Sequence, residues 1–306
     1  MQKTIVTMIL VGLLCVAGRA VAQSEPTLLR PSYESAATGE ERRYLLYLPS
    51  GYSEQANEVW PVIFFLHGGG ERGDGLDDLD HVLAHGPIYE AWIQKEDLPF
   101  IIVAPQLPVF GQQEHLRMRA ATPPVRLIDG VPPRWPGIPI QGPILRQQDA
   151  AAPGVESDPG AGGFGPPEGW WMTEDDLIHI LDEVLAEYRA DADRVYLTGL
   201  SYGGYGTYFM AAAHPDRWAA IAPIVGTGDP ATASVIAEHQ LPIWIFGGGR
   251  DTVVRVGWLY EMARALENAG HSDVRFTVHE DMGHDAWTRV YTSRDFYDWL
   301  LSNERN

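Results

Sequence analysis

The chain has 306 residues, a formal charge of −19 and a single cysteine. So acidic a balance opposes binding to nucleic acid and to anionic lipid, and neither is expected as a partner. A chain of this length buries one large core without help from disulfides, and α/β folds often reach this size as one domain.

The first segment reads as an address rather than structure. Lys3 gives a short positive region, Ile5 to Ala17 an apolar run, and Ala20-Val21-Ala22 a small-residue cleavage pattern, so residues 1–22 are expected to be an export signal. The run is too short to span a bilayer, and Arg19 closes it. Cys15 lies inside it but follows Leu14, where a lipid-anchor site needs a small residue. Removing residues 1–22 from 306 leaves 284 with no cysteine, and losing Lys3 and Arg19 takes the charge from −19 to −21. A secreted or periplasmic protein, residues 23–306 forming a single domain, is the expectation.

Strands and helices then alternate. Arg43 to Leu48 reads as a strand after a turn at Thr38-Gly39, and Val62 to Leu66 (VIFFL) as one buried on both faces. Phe100 to Ala104, Val195 to Thr198, Ala219 to Pro223, Ile243 to Phe246 and Val274 to Val278 repeat the pattern. Thr173 is placed to cap a helix carrying Glu174, Asp175 and Asp176 in its first turn, with Leu177, Ile180, Leu181, Val184, Leu185 and Tyr188 at helical spacing. Further helices are expected from Ser201, over about Trp258 to Asn268, and ending near Leu301. Such alternation predicts an α/β fold whose sheet is mostly parallel, with helices on both faces.

Residues 107–169 break the rhythm. They hold twelve of the 23 prolines and ten of the 32 glycines without sustained periodicity. An insertion this long is either a variable surface segment or a lid or wall for substrate.

The chemistry concentrates at the ends of the predicted strands. Gly199-Leu200-Ser201-Tyr202-Gly203 fits G-x-S-x-G, with a strand running in and a helix running out, a context that exposes the serine hydroxyl above the sheet edge. Serine needs a base, and of ten histidines His284 is placed for it, on a loop after the last strand. Asp251 follows the strand IWIF and is the expected orienting acid, ahead of Asp281 and Asp285, neither of which ends a strand. His67-Gly68-Gly69-Gly70 follows VIFFL, so an N–H of Gly69 or Gly70, with that of Tyr202, would hold an oxyanion. His67 itself is expected to be structural. His81 and His85, four apart on an expected helix near Asp77, Asp78 and Asp80, are an unconvincing metal site because Gly86-Pro87 stops the helix and no H-E-x-x-H occurs. No metal or organic cofactor is expected. Trp171 and Trp287 are candidate substrate contacts, since flat rings beside a cleft suit phenolic or sugar-like groups, although core packing is the alternative for each.

Together HGGGERGDG, the stretch from Thr173 through G-L-S-Y-G to Ile224, GGRDTVV and GHDAW resemble secreted α/β-hydrolases, among them polyhydroxybutyrate depolymerase-like and feruloyl esterase-like enzymes and so-called predicted peptidases. The resemblance covers about Arg42 to Asn306 except the insertion, and implies the α/β-hydrolase fold with a Ser201, Asp251, His284 triad. It implies a serine carboxylic-ester hydrolase acting on a small or polymer-linked ester, of feruloyl, acetyl-sugar or polyester type. A peptidase with the same machinery is the competitor, with a non-catalytic binding protein behind it. Peptide-cutting relatives usually carry an extra domain that 284 residues leave no room for. The sequence leaves the oligomeric state open.

Overall fold

A computed structural model describes residues 24–53, 57–110, 122–134 and 168–305. The export signal expected at residues 1–22 therefore lies outside the described residues, as do 111–121 and 135–167 of the insertion.

An eight-stranded sheet organises the chain. Its strands are β1 (Thr27–Leu29), β4 (Leu45–Leu48), β5 (Trp60–Leu66), β6 (Ile101–Ala104), β7 (Ala190–Leu200), β8 (Ala220–Ile224), β9 (Ile243–Gly248) and β10 (Val274–His279). They lie in the order β1-β4-β6-β5-β7-β8-β9-β10. β1 and β4 run antiparallel to their neighbours, and from β6 to β10 every pairing is parallel. A separate hairpin pairs β2 (Ser32–Glu34) with β3 (Glu41–Arg43).

Period-two alternation divides the apolar residues of these strands between two cores. Along β5, Val62, Phe64 and Leu66 face one core while Ile63 and Phe65 face the other. α2 (Glu174–Glu187), α3 (Tyr202–Ala213) and α5 (Val256–Asn268) cover the first face. The short α1 (Gly86–Ile88), the turns beside it, α6 (Trp287–Tyr291) and α7 (Arg294–Leu301) cover the second, while the short α4 (Ala233–Glu238) joins the first. A sheet buried on both faces explains why its strands read as unbroken apolar runs.

Three local expectations need correction. The strand expected over Arg43 to Leu48 is two strands that change partner at Tyr44, whose N–H bonds Pro31 O. Thr173 does not cap α2: a 3-10 turn over Trp170–Thr173 leads straight into the helix, and the Thr173 hydroxyl bonds back to Trp170 O at 3.0 Å. With φ −120° and ψ 22° its backbone is not in the extended conformation from which a cap side chain reaches the following N–H groups. His81 and His85 do not share a helix face, because Leu79–Ala84 is a 3-10 helix and His85 is extended.

Within the insertion, residues 122–134 are tied to the stretch after α1. Arg126 stacks 4.1 Å over the Trp92 ring and donates to Trp92 O at 2.7 Å. Lys95 Nζ bonds Ile128 O, Gln94 Nε2 bonds Pro132 O, and Arg134 pairs with Glu90 and Glu96.

The β2–β3 hairpin is held by a buried carboxylate. Asp176 accepts from Ser35 Oγ and from Ala36 N–H, each at 2.6 Å. Asp176→Ala should strand both donors and cost about 2–3 kcal/mol, the range for hydrogen bonds to a charged group. Thermal unfolding should show Tm lower by roughly 5–10 °C, with Asp176→Asn milder because one acceptor oxygen remains.

Candidate active site

Parallel β5, β7, β9 and β10 all deliver the loops that follow them to one edge of the sheet, and each contributes to a single cluster there. Ser201 sits between β7 and α3 with φ 51° and ψ −114°, in the left-handed region that a non-glycine residue rarely adopts. The turn survives because it is tied on both sides: Ser201 N–H bonds Ile224 O at 2.9 Å, and Ser201 O accepts from Tyr205 N–H at 3.1 Å. Glycine is obligatory beside it. A Cβ on Gly203 would fall 1.8 Å from Leu66 O, and one on Gly199 would fall 2.3 Å from Gly203 O.

His284 lies on the loop after β10, with Nε2 2.9 Å from Ser201 Oγ and Nδ1 2.8 Å from Asp251 Oδ2. A carboxylate only accepts, so Nδ1 donates, and Nε2 is left to accept from the serine hydroxyl. Asp251 is 1% exposed, and its other oxygen accepts N–H groups of Val253 (2.8 Å) and Val254 (2.9 Å). The carboxylate is thus aimed by backbone. Asp281 is bound bidentately by Arg289 at 2.7 and 2.8 Å on the surface, which holds its carboxyl well below the usual range. Asp285 lies beside His284 in sequence, yet among the described residues the side-chain bond to Nδ1 comes from Asp251.

The glycine loop after β5 packs on the serine turn. A Cβ at Gly68 would meet Leu200 Cδ1 at 2.8 Å, and one at Gly69 would meet Tyr202 ring carbons at 3.0 Å. Gly69 is thereby brought against Tyr202, whose N–H, at the first position of α3, has no intrahelical acceptor. His67 fixes this loop. Its Nε2 accepts from Leu107 N–H at 2.9 Å, so Nδ1 carries the proton and donates to Gly68 O at 2.6 Å. Burial pushes the imidazole down to about 3, which keeps it neutral. Trp170, fully buried, packs edge-on to the His67 ring at 4.9 Å and donates to His67 O at 3.2 Å. Below the loop, Gln106 Nε2 bonds Glu71 O and Asp78 O while Arg42 Nη2 bonds Gly73 O and Gln106 O.

The two candidate tryptophans part company. Trp287 stands edge-on to the His284 ring at 5.4 Å and tilted against His85 at 5.4 Å. Trp171 folds back over Gly169, and among the described residues no ring contact joins it to the serine cluster.

The sequence does not mark two ionisable neighbours, Glu71 and His85, as wholly or partly buried side chains of this site. Glu71 is 9% exposed, with carboxyl oxygens 3.8 Å from His67 Nδ1 and 3.7 Å from His85 Nε2. Burial raises it to about 7, against the opposing pull of its own and the Gly68 N–H. Burial lowers His85 to about 4. The run of three glycines before Glu71 was the one available signal, because glycines at a strand end mark close packing.

Comparison with known proteins places this arrangement. The model of the prolyl oligopeptidase family matches residues 172–244. Poly(3-hydroxyalkanoate) depolymerase C of Paucimonas lemoignei is 47% identical over 50 residues, which is 16% of this chain and 12% of that protein. A thermostable esterase of known structure superposes with a TM-score of 0.59 at 25% identity, covering 91% of this chain and 63% of that one. Both matches span less than two thirds of the other protein. The feruloyl esterase module of Clostridium thermocellum, solved with sinapinate, gives a TM-score of 0.55 at 16% identity over 90% of this chain and 87% of its own.

The raised Glu71 has a measurable consequence. Between its ordinary 4.5 and about 7, the folded state holds a proton that the unfolded chain has released. The stability that proton carries is complete below about 4.5 and lost as pH rises through 7. Glu90, raised to about 7 chiefly by burial, has the same sign, whereas His67 and His85, held neutral, weaken folding as pH falls below 6.5. Glu71→Gln removes one of these four contributions. Denaturant unfolding should show it gaining on the wild type from about pH 5 to about pH 8, on the order of 2 kcal/mol. A difference that stays constant with pH would contradict the assignment.

Proposed function

We propose that this chain, which has the α/β-hydrolase fold, is a serine hydrolase that cleaves carboxylic esters through a covalent acyl-enzyme. The observation that carries the reading is the continuous relay from Asp251 Oδ2 through His284 to Ser201 Oγ, at 2.8 and 2.9 Å. In this reading Ser201 Oγ attacks the ester carbonyl carbon while its proton passes to His284 Nε2, and the carbonyl electron pair moves onto oxygen. The N–H groups of Tyr202 and of Gly69 or Gly70 receive that oxyanion. As it collapses, the bond to the alcohol oxygen breaks, and the same proton moves from Nε2 to the leaving alcohol. Water, deprotonated by His284, then attacks the acyl-serine and regenerates the hydroxyl. Asp251, fixed by the Val253 and Val254 N–H groups, holds the imidazole in the tautomer each step needs.

The likeness to the thermostable esterase over 91% of this chain favours esters over peptides. A peptidase is the second reading, favoured by the match to the prolyl oligopeptidase family at residues 172–244. That match stops short of Asp251 and His284, so it speaks to the serine turn and its helix alone. Export to the periplasm or beyond is proposed from the pattern at residues 1–22; among the described residues no helix is long and apolar enough to cross a membrane.

A fluorophosphonate probe should label wild type and leave Ser201→Ala untouched. That substitution should lower kcat on the order of 10⁴-fold or more, with folding intact, because the covalent route is removed. Paired ester and amide substrates with the same acyl group separate the two readings, and faster turnover of the amide would decide for the peptidase.

Asp251→Asn should cost on the order of 10⁴ in kcat by favouring the other imidazole tautomer. Asp281→Asn should leave kcat within a few-fold, since Asp281 is committed to Arg289. The reverse order of damage would show that the orienting acid is wrongly chosen.

A further inference from the structure

Beside the serine cluster lies a pocket of about 320 Å³, within the range of small-ligand sites. Its lining includes His85, Tyr89, Glu90, Arg134, Trp287 and Arg289. Trp287 is the shared wall, since its indole touches the His284 ring on one side and the His85 ring on the other. We propose that this pocket is the alcohol-side subsite of the ester, that it takes a neutral polyhydroxylated ring such as a sugar, and that Arg134 selects for it.

This inference rests on the esterase reading for its geometry. The general acid hands its proton to the departing oxygen, so the alcohol must leave against His284 Nε2, while the carbonyl oxygen points to the glycine loop. Trp287 lines the pocket and is a ring neighbour of His284, so the pocket adjoins the group that would protonate the alcohol, and we assign it to that side.

The lining chooses among ligand classes. Arg134 is offset by Glu90 and Glu96, and Arg289 by the bidentate Asp281. Neither guanidinium presents an uncompensated charge, so a free carboxylate or phosphate gains little there. An apolar acyl chain would strip water from Glu90, Arg134 and Arg289 without replacing their hydrogen bonds, which is costly. A ring bearing vicinal hydroxyls meets neither objection. Its C–H face can lie on the indole, and each hydroxyl both donates and accepts. Tyr89 Oη already accepts from Gln94 Nε2 at 2.7 Å and keeps its own proton to donate. Glu90 offers acceptors, and the five donors of a planar guanidinium exceed the two that Arg134 gives to its carboxylates.

Arg134 arrives from the insertion. It is positioned by the same stretch that binds residues 122–134 through Trp92, Gln94 and Lys95. The insertion thereby supplies a wall of the cleft.

The experiment compares an acetylated methyl xyloside with ethyl acetate, the acyl group being identical. Wild type should favour the sugar ester by tenfold or more in kcat/KM, and Arg134→Ala should reduce that ratio about tenfold. Arg134→Lys, which keeps the charge and the pairing, should fall between and guards against a folding artefact. Methyl xyloside should bind Ser201→Ala in saturation-transfer NMR, and the signal should disappear when Arg134→Ala is added. A ratio indifferent to Arg134, or a pocket that binds benzoate and not methyl xyloside, overturns the proposal. If binding depends on Arg134 yet no ester is hydrolysed in a Ser201-dependent way, the esterase reading fails instead.

Discussion

Everything at the site depends on how closely two pieces of backbone approach each other. Gly203, in the first turn of α3, lies so near the end of β5 that any side chain would collide with Leu66 O. This contact sets the height of α3 above the sheet and forces Ser201 into its strained turn. It also brings the loop that follows Leu66 against the N-terminus of α3. Ser201 and the glycine loop are therefore positioned by one packing constraint rather than by separate devices. The strain at Ser201 is held by main-chain bonds to Ile224 and Tyr205, which do not depend on side-chain identity.

The second feature is a buried polar layer under the glycine loop. The side chains of His67, Gln106 and Arg42 satisfy main-chain carbonyls and N–H groups that a loop crossing the top of two cores would otherwise leave unpaired, and the Glu71 carboxyl is buried among them. Burial keeps His67 uncharged and pulls Glu71 toward its protonated form, while the Arg42 guanidinium is met by two main-chain carbonyls. In the proposed mechanism a charge on either His67 or Glu71 would sit beside the loop that receives the oxyanion, so their neutrality would spare the donors a competitor.

On the opposite side of His284 the chain is less economical. Trp287 shields the imidazole, and a strap from the insertion adds Arg134 to a pocket whose charges are already paired. The serine cluster is assembled from loops that follow sheet strands, whereas the insertion enters the lining of the neighbouring pocket through Arg134. In the proposed reading, chemistry and selectivity are thus carried by different parts of the chain.

Apolar periodicity alone predicts the parallel strands from β5 to β10 and the longer helices between them, although not β1, β2 or the short helices, and it groups the loops that share a sheet edge. Apolar runs such as Val62–Leu66 and Ile243–Phe246 are unambiguous because both faces of those strands are buried, and parallel pairing then sends their following loops to one side. Ser201, His284 and the glycines after His67 were legible for the same reason. Small features that depend on competition between local bonds were not. The Thr173 hydroxyl turned back to Trp170, and Arg43 to Leu48 split at Tyr44, because neighbours distant in sequence offered better partners. Strand position already favoured Asp251 over Asp281 in the sequence, and the folded chain adds that Asp251 bonds His284 while Asp281 is committed to Arg289. Tertiary structure alone buried Glu71 and Glu90, and it alone carried Arg134 to Trp287. These outcomes turn on which groups lose their water when the two cores close, and desolvation is a property of the folded volume that no local pattern of residues records.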